Sequence, residues 1–142
     1  EILERETGKK SIPVWHKSRG KQYFIDMVKE YDYVAIGGIA SKEIKRSEYK
    51  YFPWFIEQAH KHNCKIHGLG FTNTKSLKKY KFDSVDSTSW TYGQKRGCIV
   101  VFNGEHIETA LTPSEGKRLK DITLADKHNL TEWLKYVRYM DG

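Results

Sequence analysis

The sequence has little cysteine and no long apolar run. Its 142 residues include only Cys64 and Cys98, which is too few for a disulfide framework and predicts a reducing, cytoplasmic setting. No run approaches about 18 apolar residues, which argues against a transmembrane helix and a membrane partner. The charged N-terminal residues lack the apolar stretch of a signal peptide. P-loop, G-x-S-x-G and G-x-G-x-x-G motifs are also missing.

Positive charge and aromatic side chains are abundant. The 25 Lys and Arg residues outnumber the 18 Asp and Glu residues, giving a net charge of +7, which favours a polyanionic partner such as nucleic acid. The six Phe, nine Tyr and four Trp residues indicate a folded chain. The length fits a single domain over 1–142. Because the chain begins at Glu1, we expect it to be a fragment of a longer protein.

Short apolar runs alternate with amphipathic stretches over residues 11–96. Runs at 12–15, 33–36, 65–70 and 82–85 predict four β-strands. Helical spacing of Tyr23, Phe24 and Met27 predicts a helix after the first strand, and Pro53 marks the first turn of a second. Thr74 is expected to cap a short helix that ends at Lys79. Four strands separated by helices are typical of βα units around a parallel sheet.

The pattern changes over residues 97–142. Two alternating runs over 97–110 flank Asn103-Gly104, which predicts a β-hairpin with a two-residue type I′ turn. The stretch 111–142 is predicted to be a loop, polar as far as Asp126, followed by a closing helix. The apolar residues that mark this helix are Leu130, Trp133, Leu134, Val137 and Met140.

Chemistry-bearing residues follow the predicted strands, and the carboxyl ends of parallel strands meet at one edge of a sheet. These residues are Trp15 and His16, then Gly37, Gly38 and Ile39, then His67, Gly68 and Gly70, and finally Asp83 and Asp86. Asp83 interrupts an apolar strand, so it is interpreted as a nucleophile, a general acid or base, or a strand-end cap. Asp86 is interpreted as a loop or cap residue. The glycines admit a flat ligand or simply make tight turns.

Two further patterns concern charge and metal. Lys42, Lys45 and Arg46, and later Lys75, Lys78 and Lys79, form basic clusters that either contact a nucleic-acid backbone or are solvated helix faces. The spacing H-x-H-x-C-x-x-H over 60–67 matches no standard zinc site. We therefore expect solvated histidines beside a buried Cys64, and no metal ligands.

Three segments resemble the tRNA-guanine (queuine) transglycosylases. Residues 32–40 (DYVAIGGIA) resemble the Gly-Gly strand end of that family, residues 67–70 (HGLG) its Gly-Val-Gly strand end, and residues 82–88 (FDSVDST) its Phe-Asp-Cys-Val-x-Pro-Thr segment. The hairpin around Gly104 also falls where that family has one. The resemblance covers about residues 11–110, with its motifs in the family's order.

The resemblance implies an α/β fold, the second half of a (β/α)8 TIM barrel with four βα units, followed by a β-hairpin and a C-terminal helix. The family replaces guanine in nucleic acid by a 7-deazaguanine through a covalent aspartyl-glycosyl intermediate. By position, Asp83 would be the nucleophile, pointing into the barrel mouth with Gly38 and Gly70 beside it. The base would meet the backbone of Gly37, Gly38 and Ile39, in a pocket that also includes Trp15, His16, His67, Gly68 and Gly70.

The chain also departs from the family. Residues 111–142 contain no cysteine, so the family's zinc site is missing and no cofactor is expected. The expected partners are tRNA or DNA and a 7-deazaguanine base. The family's second catalytic aspartate belongs to the first half of the barrel. Because four βα units cannot close a barrel, we expect a missing half or a homodimer, and an inactive fragment.

Two other functions remain open at this stage. Another TIM-barrel enzyme could hold a sugar phosphate on its glycine loops, and it would then bind an anion near 68–70 and ignore guanine. A non-catalytic nucleic-acid-binding module would bind in a salt-sensitive way, independently of Asp83.

Overall fold

The computed structural model describes residues 2–86, 98–111 and 122–142, which fall into two compact units. The first unit comprises the residues up to Phe71 together with Tyr80–Asp86. The second contains Thr72–Lys79, the hairpin and the C-terminal helix. No helix within the described ranges is both long and apolar enough to cross a membrane.

The first unit is a mixed α/β layer structure around a parallel sheet. Its strands follow one another in the order β1-β2-β3-β4, all parallel, which confirms the predicted α/β class and parallel sheet. The helices are α1 (Ile2–Thr7), α2 (Gly20–Glu30) and α3 (Phe52–Lys61), and the strands are β1 (Val14–Trp15), β2 (Tyr33–Ile36), β3 (Lys65–Gly68) and β4 (Ser84–Val85). Two 3₁₀ helices, Lys17–Arg19 and Arg46–Tyr51, precede α2 and α3.

The strand register separates the two faces of the sheet. Trp15 lies level with Ile36, and Ile36 with Gly68, so these residues share one face. The Trp15 ring packs 5.8 Å from Phe24 of α2 and 4.8 Å from Phe55 of α3, which identifies this face as the helix-covered one. Because side chains alternate along a strand, the next residues project to the opposite face.

An aromatic cluster closes the helix-covered layer beside β3 and β4. The Phe52 ring, at the start of α3, lies 5.6 Å from Phe71, 5.3 Å from Phe82 and 5.5 Å from Tyr80, all edge-on. Edge-to-face pairs of this kind each contribute roughly 0.5–1.5 kcal/mol beyond area burial. Pro53 stands in the first turn of α3, as predicted, where its missing N–H has no helical acceptor.

The connection from β3 to β4 differs from the prediction. In place of a short helix capped by Thr74, it contains one 3₁₀ turn at Leu77–Lys79, and the Thr74 hydroxyl accepts a hydrogen bond from the Ile107 amide at 3.2 Å. Only Leu77 of this turn is buried, which leaves no apolar stripe to support a longer helix. The helix expected after β4 would fall within 87–97, outside the described residues.

The second unit contains the predicted antiparallel hairpin with a longer loop. Strand β5 (Ile99–Phe102) pairs with β6 (Ile107–Leu111), so four residues connect them and the two-residue turn is wrong. The Asn103 Oδ1 atom accepts hydrogen bonds from the Glu105 and His106 amides, both at 2.9 Å. An asparagine that bonds the following backbone amides makes its own turn, which accounts for the wider loop.

Helix α4 (Ile122–Asp141) begins inside the stretch predicted to be loop up to Asp126. Its polar side chains bond to the backbone of β5. Asn129 Oδ1 accepts from the Val100 amide, Asn129 Nδ2 donates to the Cys98 carbonyl, and Glu132 Oε2 accepts from the Phe102 amide, all at 2.9 Å. These bonds satisfy the strand edge that β6 does not pair, which would otherwise be open to another chain.

This arrangement decides which face of α4 is buried. Asn129, Glu132 and Tyr136 are at most 5% exposed, whereas Leu130, Leu134 and Val137 are 47–48% exposed. Three of the five apolar residues that mark the helix in the sequence, Leu130, Leu134 and Val137, therefore do not face the hairpin. A strand edge needs donors and acceptors, and leucine has neither.

Replacing Asn129 by Ala should destabilise the protein strongly. The Val100 amide and the Cys98 carbonyl would both lose a buried partner, and each such loss costs about 1–3 kcal/mol. We expect the free energy of unfolding in urea to fall by roughly 2–4 kcal/mol. Thr131→Ala, which removes an exposed hydroxyl bonded to the Lys127 carbonyl, should change it by less than about 0.5 kcal/mol. Equal effects of the two substitutions would contradict the edge-covering role.

Glu132 should make stability depend on pH in the acid range. The hydrogen bond from Lys135, followed by that from the Phe102 amide, lowers the pKa of Glu132 below its ordinary 4.5. Its contribution is therefore complete above 4.5 and is lost as pH falls through the lower folded value. In urea unfolding, the advantage of wild type over Glu132→Gln should shrink between pH 7 and about pH 3. A constant difference would show that ionisation of Glu132 plays no part.

Candidate functional site

The carboxyl edge of the sheet carries an exposed carboxylate, that of Asp86. The Gly70 amide donates a hydrogen bond to Asp86 Oδ1 at 2.6 Å, and His67 Nε2 lies 3.6 Å from Asp86 Oδ2. The Asp86 side chain is 57% exposed. One oxygen is therefore oriented by the backbone, while the other stays open to solvent beside an imidazole.

Asp83 lies at the opposite, amino edge of the sheet. Its Oδ2 atom accepts a hydrogen bond from the Ile66 amide at 2.8 Å and lies 2.9 Å from His60 Nε2, near the end of α3. Three residues of extended chain, about 10 Å, separate it from Asp86. The prediction that Asp83 sits beside Gly38 and Gly70 is therefore wrong. Asp83 precedes its strand, so it does not cap the turn that follows the strand either.

The two aspartates differ in a way the sequence could have signalled. Asp83 precedes the strand Ser84–Val85, whereas Asp86 follows it. In a parallel sheet, only a residue after the last apolar position reaches the carboxyl edge. Because Phe82 is apolar, the sequence pattern starts the strand at Phe82, before Asp83. In the structure, Phe82 belongs to the aromatic cluster instead.

Glycines allow three chain segments to meet at the carboxyl edge. A Cβ atom on Gly37 would lie 2.7 Å from His16 Cε1, and one on Gly70 would lie 2.7 Å from the Ala40 Cβ atom. Gly38 has a φ of +87°, a conformation that favours glycine. The structure thus brings His16, Gly37, Gly38 and Gly70 together at this edge. Its glycines make room for neighbouring protein atoms.

Gly68 takes another place than predicted, and the Ile39 side chain is buried, while a contact of the Ile39 backbone with a base stays a prediction. A Cβ atom on Gly68 would meet Phe71 and Val85 at 3.3 Å, so this glycine faces the aromatic layer, away from the open face. Ile39 is only 5% exposed, and its carbonyl accepts a hydrogen bond from the Lys42 amide at 3.2 Å. Neither residue contributes a side chain to the carboxyl-edge surface.

Trp15 belongs to the core. It is 4% exposed, and its indole N–H donates to the Gly20 carbonyl at 2.9 Å. The prediction that Trp15 lines a base pocket at the open edge is therefore wrong, because strand alternation turns it towards the helices. A cavity of about 290 Å³ lies beside it on the helix-covered side, with apolar walls that include Ile36, Ile44 and Phe55.

His16 follows Trp15 on the other face and forms a pair that the sequence did not indicate. His16 Nδ1 lies 3.3 Å from Glu43 Oε2, and both side chains are partly exposed. Glu43 comes from the loop after Gly38, and a Cβ atom on Gly38 would lie 2.8 Å from its Oε2 atom. No local pattern marks a loop glutamate for such a role, so only the folded chain reveals it.

The six predicted phosphate contacts are exposed and belong to two units. Lys42, Lys45 and Arg46 lie in the loop and 3₁₀ turn after Gly38 in the first unit. Lys75, Lys78 and Lys79 lie in the second unit. Lys78 Nζ lies 3.8 Å from the centre of the Tyr139 ring, so this lysine already makes a cation–π contact. The role of all six on nucleic acid stays a prediction.

The histidines and the cysteine of the H-x-H-x-C-x-x-H pattern lie in different places and do not meet at one point. His60 bonds to Asp83 at the amino edge, while His62 Nδ1 donates to the Gln58 carbonyl at 2.9 Å and Cys64 is buried. His67 faces the other side of the sheet, where it meets Ser84 and Asp86. Within 2–86, 98–111 and 122–142, no three potential ligands converge on a metal position.

Comparisons with known proteins add no identification. Neither the models of protein families, nor the curated proteins, nor the solved structures that were searched gave a match to this chain. The functional conclusion therefore rests on the geometry of the carboxyl edge and on the motifs of the sequence.

Cys64 should be inert as a nucleophile. Burial raises the pKa of its thiol to about 11, and only the thiolate reacts with alkylating agents. We expect no modification of Cys64 by iodoacetamide at about pH 8 in the folded protein, and full modification in urea, as measured by peptide mass spectrometry. Rapid labelling of the folded protein would contradict the buried position.

Proposed function

We propose that the protein is a half-barrel of the transglycosylase type, a pentosyltransferase that exchanges guanine in tRNA or DNA for a 7-deazaguanine. Asp86 is the nucleophile in this proposal, which departs from the resemblance, where Asp83 matches the family's aspartate and Asp86 its variable position. The observation that carries it is the Asp86 carboxylate, exposed at the carboxyl edge with one oxygen held by the Gly70 amide at 2.6 Å.

The surroundings of Asp86 suit a carboxylate nucleophile. A reacting oxygen must be oriented yet reachable, and it must keep its charge for an oxocarbenium-like carbon. The backbone hydrogen bond from Gly70 orients the group, and more than half of its side chain is exposed. Among the residues that the structure describes, His67 is its ionisable neighbour, at 3.6 Å, and no lysine or arginine of those residues forms an ion pair with it.

The exchange takes two displacements at one carbon. The first forms a bond between an Asp86 oxygen and the anomeric carbon while the glycosidic C–N bond breaks, and guanine leaves as its ring nitrogen takes up a proton from the second catalytic carboxyl group of the other half of the barrel. In the second, the ring nitrogen of the incoming 7-deazaguanine attacks that carbon, its proton passes to the same carboxylate, and the bond to Asp86 breaks. The target nucleotide must be flipped out of any stack to reach the edge.

The sheet supports the half-barrel part of the proposal. Four parallel strands in sequence order are the arrangement of consecutive strands in a (β/α)8 barrel. The outer edges of β1 and β4 need further strands for closure. In the proposal these come from the missing half or from a second copy. In the proposal, the half that completes the barrel also supplies the second catalytic carboxylate, and the present chain alone is inactive.

A covalent trap tests the proposal and its choice of nucleophile. Full-length protein is mixed with tRNA or guanine-containing DNA and 9-deazaguanine, and run on a denaturing gel. We expect a shifted band for wild type and Asp83→Asn. Asp86→Asn should lose at least about 1,000-fold of band formation, because the bond-forming oxygen is altered. The polymer that shifts identifies the substrate.

The matched pair of substitutions makes the test sharp. Asp83→Asn changes the same side chain three positions away, at the opposite edge of the sheet, and circular dichroism verifies its folding. A band that persists in Asp86→Asn would overturn the proposal. Salt-sensitive binding of either polymer with no band in any variant would favour a non-catalytic binding module.

A further inference from the structure

A chain of hydrogen-bonding groups crosses the open face of the sheet towards Asp86. Tyr33 on β2, His67 on β3 and Ser84 on β4 project from the face opposite α2 and α3. His67 lies level with Ser84, and its Nδ1 atom is 2.5 Å from Ser84 Oγ. The Tyr33 hydroxyl is hydrogen-bonded to the same Ser84 oxygen.

One arrangement of protons lets this chain support a carboxylate at its end. A carboxylate accepts hydrogen bonds, so support of Asp86 requires the imidazole proton on Nε2, with Nδ1 as an acceptor. Ser84 then donates to Nδ1, and its oxygen accepts from the Tyr33 hydroxyl. In this arrangement every donor points towards Asp86.

We infer that Tyr33, Ser84 and His67 form a positioning chain for the nucleophile, an inference that rests on the proposed function. Ser84 fixes the imidazole tautomer and its orientation, and so aims the Nε2 proton at Asp86 Oδ2. The 3.6 Å separation is longer than a hydrogen bond. Contacts of this kind often tighten when substrate binds.

The chain acts mainly on the second displacement. When Asp86 leaves the sugar it regains its negative charge, and a neutral N–H donor beside it stabilises that charge. No proton moves along the chain in this step. A lysine or arginine in the same place would hold Asp86 in a strong ion pair and lower its nucleophilicity in the first displacement.

Base-exchange kinetics on the full-length protein test the inference. Ser84→Ala should lower kcat about tenfold. The KM for the nucleic acid should fall in proportion, so that kcat/KM for the nucleic acid changes less than about twofold, because only the second displacement is slowed. The steady-state fraction of covalent complex should rise, since its breakdown is slowed. Ser84→Thr retains the hydroxyl and should restore most of kcat, and Tyr33→Phe should cost about threefold. Thr131→Ala, on the C-terminal helix, is the control for hydroxyl loss.

A second measurement needs no activity. Nitrogen-15 NMR of the folded protein should show His67 protonated at Nε2 and unprotonated at Nδ1. In Ser84→Ala, the signal of a single tautomer should give way to a mixture. If Ser84→Ala fails to fold, the tautomer of His67 is compared between Ser84→Thr and Tyr33→Phe. Tyr33→Phe should weaken the tautomer preference.

The outcomes separate this inference from the proposed function. A covalent band that survives Asp86→Asn overturns the function, and the role of the chain with it. If Asp86 is required but Ser84→Ala keeps the wild-type kcat, the positioning chain is wrong and the function stands. An Nδ1-protonated His67 in wild type would overturn the chain in either case.

Discussion

The parallel register of the four strands is the constraint on which the first unit depends. Once Trp15, Ile36 and Gly68 lie level, alternation places one set of side chains against the helices and the next set on the open face. The aromatic layer around Phe52 and the polar row on the other side are therefore two results of one register. Because all four strands are parallel, their carboxyl ends also meet at one edge.

The candidate site exists because small residues let chain segments approach that edge. Gly37 accommodates the ring of His16, and Gly70 lies against Ala40, so the loops after β2 and β3 pack where larger side chains would collide. The Gly70 amide is thereby brought to Asp86. The glycines serve the site through this packing and through one backbone donor, a role that differs from direct contact with a ligand.

The second unit follows a different logic, in which polar side chains complete a strand. Asn129 and Glu132 are buried because β5 presents unpaired backbone groups to α4. Buried polar groups are stable when each has a partner. The same geometry leaves Leu130, Leu134 and Val137 exposed on the far side of the helix, although they are the most apolar positions of its sequence.

The sequence by itself determined the α/β class, the central strands, the helix that begins around Pro53 and the existence of the hairpin, because these depend on local periodicity and turn chemistry. The fold was needed to show that Trp15 lies in the core and that Tyr33, Ser84 and His67 share one face. Those outcomes depend on the register between distant strands, because a shift of one residue moves every side chain of a strand to the opposite face of the sheet. No local pattern carries that information.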